Sequence, residues 1–79
     1  MKIKVFALSY ASFDSDNGLF VDTLGVSDNY ESVAKALKDN VSQDIKDGDP
    51  KENWKIEERK AKYCDVLANE YKEYSIKEL

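Results

Sequence analysis

Apolar residues recur at helical spacing most clearly in the middle of the chain: Tyr30, Val33, Ala34, Leu37, Val41 and Ile45. Steps of mostly three and four residues place them on one side of a helix, while Lys35, Lys38, Asp39 and Asp44 fall on its wet side. Asp28 and Glu31 have the spacing of a capping box, and Gly48 with Pro50 just beyond it supplies a stop. The pattern predicts a helix over residues 28–47. A helix with one apolar stripe must lay it on another layer. In 79 residues there is room for one such layer and one domain, residues 1–79.

That layer reads as an antiparallel sheet. Residues 2–10 alternate, with Ile3, Val5 and Ala7 on one face and Phe6, Leu8 and Tyr10 on the other. Apolar groups on both faces predict a strand interior to the sheet, or one partly covered on its second side. Residues 12–18 are turn-formers ending in Asn17-Gly18, a hairpin signal because both residues tolerate positive φ. A second strand is expected from about Leu19 to Val26. Residues 50–71 fit a second helix starting at Pro50 or a pair of strands. The alternation of Cys64, Val66 and Ala68 with Tyr63, Asp65 and Leu67 favours strand–turn–strand over residues 60–79. Asn69-Glu70 would be the turn, and Glu73–Leu79 the closing strand. The expected fold is α+β: a small antiparallel sheet, hairpin plus C-terminal strands, packed on one amphipathic helix in a ββαββ-like order.

Composition narrows the function. Charged residues make up 35% of the chain, with a net charge of −4. That balance argues against direct nucleic-acid binding, which needs a basic footprint, and suits a partner with a basic surface. The chain has no histidine, the commonest general base and transition-metal ligand. Cys64 is the single cysteine; lying in an apolar run with no base beside it, it is expected to be a buried, inert thiol. A chain without a disulfide suits a reducing cytoplasm. The run Val5–Leu8 after Lys2 and Lys4 is too short for a secretory signal, and no stretch is long enough to span a membrane.

Two features draw attention as sites. Asp14-Ser15-Asp16-Asn17-Gly18 looks like part of a calcium loop, but the twelfth position is Gly25 where a bidentate Glu is needed. It reads as a polar turn; no metal or cofactor is expected. Asp39, Asp44, Asp47, Asp49 and Glu52 crowd the helix end and the loop after it. Carboxylates there oppose the helix dipole, so stability gives no obvious reason for the cluster, and a basic partner would. Trp54, with Tyr63, Tyr71 and Tyr74, offers aromatic anchors of the kind enriched at interfaces; a small domain also needs such residues for its core.

The opening Met1-Lys2-Ile3-Lys4-Val5, the Gly-containing hairpin, the single amphipathic helix and the terminal Glu73-Tyr74-Ser75-Ile76-Lys77-Glu78-Leu79 together resemble small bacteriophage and mobile-element proteins. Some of those are inhibitors of host defence, anti-CRISPR proteins among them. The resemblance implies a protein that acts in the host cytoplasm; the lack of a catalytic motif adds the expectation that it is not an enzyme. It would occupy a nucleic-acid-binding or regulatory surface of a host protein complex. The resemblance carries over no site; the candidates for binding, read from the chain's own acidic cluster and aromatics, are Asp39, Asp44, Asp47, Asp49, Glu52 and Trp54. The alternative is a self-associating structural or accessory protein, a homo-oligomer joined through an exposed sheet edge. A third class, an enzyme with an unrecognised carboxylate site, has no motif behind it.

Overall fold

The hairpin forms where Gly18 permits it. In the computed structural model, which describes residues 3–79, Gly18 has φ +77°, a conformation that L side chains rarely adopt. The Asp14 carboxylate closes the turn. Its Oδ1 accepts from the backbone N–H of Asp16 and Asn17, and its Oδ2 from the Asn17 side-chain amide. The turn therefore sits at residues 15–17, and the first strand runs on through residues 12–14, which were expected to be loop. Strand β1 is Phe6–Asp14 and β2 is Gly18–Ser27. Met1 and Lys2 lie outside the described residues, and the expected start is corrected at residues 3–5, which precede the strand and are not part of it.

Helix α1 spans Tyr30–Lys46. Its N-cap is Asn29, whose side chain accepts from the Ser32 backbone N–H; the Asp28–Glu31 capping box does not form. At the other end the Gly48 N–H reaches the Ile45 carbonyl and the Asp49 N–H the Asp44 carbonyl. Gly48 at φ +125° makes this a Schellman ending, as the Gly48–Pro50 signal implied. Val33, Leu37 and Val41 are buried, and Tyr30, Ala34 and Ile45 half-buried against the same core.

The open question over residues 50–71 resolves to strands. After a 3₁₀ turn at Lys51–Asn53 come β3 (Trp54–Ile56), β4 (Lys60–Asp65) and β5 (Glu70–Glu78). Asn69, at φ +54°, is in the turn before β5. The sheet is five-stranded and antiparallel, in the order β2-β1-β5-β4-β3, one short strand more than expected. Strand β1 is interior, paired on both sides.

The helix covers one face of this sheet. Phe6 and Leu8 from β1, Trp54 from β3, Ala61 and Tyr63 from β4, and Tyr74 and Ile76 from β5 meet the helical stripe in one core. The opposite face has no layer over it among the described residues.

Candidate interaction surfaces

Each aspartate of the acidic cluster has a partner within the chain. Asp39 pairs with Lys35 at 2.7 Å, one helical turn away, and Asp47 accepts from the Gln43 side-chain amide at 2.9 Å. Both of these are exposed. Asp44 accepts from the Tyr74 hydroxyl at 2.6 Å, and Asp49 from the Lys72 ammonium, also at 2.6 Å. The side chains of Lys72 and Asp49 are only 23% and 17% exposed. The assignment of Asp44 to the wet side is thus corrected. The helix end lies over β5, thirty residues further along, and the phenol and ammonium that β5 presents give the carboxylates structural work. Glu52, on the 3₁₀ turn, is exposed.

Trp54 is not a surface anchor. It is buried beside Tyr63 and Tyr74, with ring centroids 5.2 and 6.1 Å away, and its indole Nε1 has no hydrogen-bond partner among the described residues. Cys64 is corrected in the opposite direction. Strand β4 turns Ala61 and Tyr63 inward, so the pleat turns Cys64 outward, and its thiol is exposed. Among the described residues no three His, Cys, Asp or Glu side chains converge as a metal site would require. No helix there is long and apolar enough to cross a membrane.

The Lys72 and Tyr74 network has a pH signature. Burial raises the phenols of Tyr63, Tyr71 and Tyr74 above their ordinary value, and at Tyr74 the bond to Asp44 adds to burial. At Lys72 burial opposes the charge, but the bond to Asp49 and its field outweigh it, so this pKa too is raised. Groups whose folded pKa is raised contribute stability that is complete below the unfolded value, about pH 10 for tyrosine, and lost as pH climbs through the folded value. An alkaline titration followed at the tyrosinate absorbance should therefore show these phenols ionising late, together with loss of the circular dichroism signal. If all five tyrosines instead ionised near pH 10 with the fold intact, the network would be absent in solution.

The surface that sequence reasoning passed over is β2. It is an edge strand, paired only to β1, and ten residues long. Leu19, Phe20, Val21, Leu24 and Val26 are 43–72% exposed along it. Asp22 is its only charged residue, in a chain of which 35% is charged. The opposite edge, β3, is three residues long and carries Lys55, as protected edges usually are. The signal for β2 was in the sequence, as a nearly uncharged run from Gly18 to Ser27, but only the strand order shows that it is an edge.

No protein-family model, no curated protein and no solved structure matches the chain.

Proposed function

We propose that this chain works by association, and that its binding element is the outer edge of β2, which pairs antiparallel with β2 of a second copy. The observation that carries the reading is a ten-residue edge with large apolar side chains exposed on both faces, interrupted by Asp22 and by a bulge at Leu24. A long, nearly uncharged edge is a template for another strand. A two-fold axis perpendicular to the sheet keeps like faces together, so paired residues share a face. Centring it on Phe20 sets Phe20 against the partner's Phe20 and Leu19 against the partner's Val21, twice. Gly18 then faces the partner's Asp22 without a clash. Centring it on Asp22 would instead oppose two carboxylates. The Phe20 ring already rests on Tyr10, at 6.3 Å between centroids, so the pairing would extend an existing aromatic contact.

The inhibitor reading, in which a basic partner docks on the acidic cluster, has less support. Of its residues only Asp39, Asp47 and Glu52 remain exposed, and the first two are paired to neighbours on their own helix. The resemblance to phage inhibitors rests on the pattern of elements alone.

Sedimentation velocity across a concentration series tests the β2 reading. The wild type is expected to dimerise and Val21→Lys to stay monomeric. Val21 is 65% exposed and outside the core, so the variant should fold normally. A wild type that is monomeric throughout the series, or a Val21→Lys variant that dimerises equally well, would refute the pairing.

A further inference from the structure

The net charge of −4 hides a strong segregation. Register and pleat place Lys55, Lys60, Lys62, Glu73 and Lys77 on the face of the sheet that α1 leaves uncovered. Four lysines and one glutamate give that face +3, so with the whole chain at −4 the remainder carries −7. Lys60 lies 3.6 Å from Glu73; Lys55, Lys62 and Lys77 form no ion pair among the described residues. Lys55 stands directly across from Lys62, which on its other side faces Glu73. Like charges opposed on one face are locally unfavourable, and a bound anion between them would reverse the sign of that term.

The rest of the face is built differently. Ala7, Ser9 and Ala11 of β1 and Ser75 of β5 make a flat floor of small side chains. At the hairpin end Phe13 lies across from Tyr71; Phe13 is 40% exposed and Tyr71 half-buried. Lys55, Lys60 and Lys62 thus flank this floor on the β4 side and Lys77 stands at its end, Glu73 separates it from the aromatic pair, and Leu19, Val21 and Val26 of β2 border its other side.

We propose that this uncovered face docks single-stranded nucleic acid, with the lysines on phosphates and Phe13 and Tyr71 under bases. The two halves of the surface match the two halves of such a ligand. A compact ammonium suits phosphate as a point charge, whereas bidentate carboxylate recognition favours arginine, and the face has none. Exposed rings on a sheet stack bases without regard to sequence. Lys60 and Lys62, two residues apart on β4, are about 7 Å apart along the strand, a spacing that an extended backbone can follow. The expectation against nucleic acid rested on total charge, and the segregation removes that ground. The face is formed within one chain, so the proposal does not depend on β2 pairing.

Fluorescence anisotropy of a fluorescein-labelled oligodeoxythymidylate of about 12 nucleotides, within the usual site size, tests it. Saturable binding is expected at low salt. With four lysines engaged, the log–log salt slope should be about −2.8 for a single strand. Lys55→Ser with Lys62→Ser should bring the slope to about −1.4 and weaken binding at low salt at least tenfold. The double variant leaves Glu73 without Lys62 across from it and takes the net charge from −4 to −6, so circular dichroism checks that it folds. Phe13→Ser should weaken binding without changing the slope. No saturable binding by the folded wild type, an unchanged slope in the lysine variant, or displacement of the oligonucleotide by polyglutamate at equal charge concentration would each overturn the proposal. The last would reassign the face to an acidic protein partner.

Discussion

Replacing Leu37 by alanine is expected to cost about 2–5 kcal/mol, as removal of a buried leucine does. Leu37 is 2% exposed and sits midway along the buried stripe, between Val33 and Val41. Interiors are close-packed, so the space left by the isobutyl group would not refill, and the cost combines lost burial with a cavity. A single core in a chain this short rarely supplies more than about 3–5 kcal/mol in total. The variant should therefore be largely unfolded at room temperature, with a weak or absent cooperative transition in urea. Lys38→Ala, one residue along and on the wet side, should shift stability by less than about 0.5 kcal/mol. Equal midpoints for the two variants would mean that the stripe is not the buried face.

The helix was legible because its signals are local. A stripe at helical spacing and a Gly–Pro ending lie within residues 30–50, and even so the N-cap moved from Asp28 to Asn29. The hairpin was legible for the same reason. Its turn was displaced because residues 12–14, polar enough to read as loop, have partners on both sides: Ser12 pairs with Phe20 and with Lys72. A strand held from two sides extends further than its composition suggests. Residues 60–79 showed the alternation that the sheet uses, but Cys64 was judged by the run it lies in rather than by the pleat, which turns Tyr63 in and Cys64 out.

The surfaces were less legible because each depends on which strands are neighbours. The Lys55–Lys62 opposition needs the β3–β4 register, and the exposure of β2 needs its place at the end of the order. The acidic cluster is the clearest case. Along the chain its residues lie near a helix C-terminus, diluted by Lys46, Lys51 and Lys55. In space two of them meet groups on β5: the Tyr74 hydroxyl and the Lys72 ammonium.

That difference separates the cluster into two pairs with unequal consequences. Asp49→Ala would leave the Lys72 ammonium, 23% exposed, without its partner. Asp44→Ala would leave the buried Tyr74 phenol without its acceptor. Stranding a polar group away from water costs about 1–3 kcal/mol, so each substitution should be destabilising and the two together should consume much of the domain's stability. Exposure below a third keeps the Asp49–Lys72 pair out of the weak surface class. Asp39→Ala and Asp47→Ala remove exposed contacts within the helix, and together should cost less than about 1 kcal/mol. A cycle with Tyr74→Phe isolates the Asp44 contact: once the hydroxyl is gone, the loss of Asp44 should cost markedly less, with a coupling of about 1 kcal/mol or more. Urea denaturation of the five single variants and the Asp44→Ala/Tyr74→Phe double variant provides the numbers. If Asp44→Ala and Asp49→Ala prove as mild as Asp39→Ala and Asp47→Ala, the helix end does not lean on β5. The cluster would then be a surface feature free to serve a basic partner.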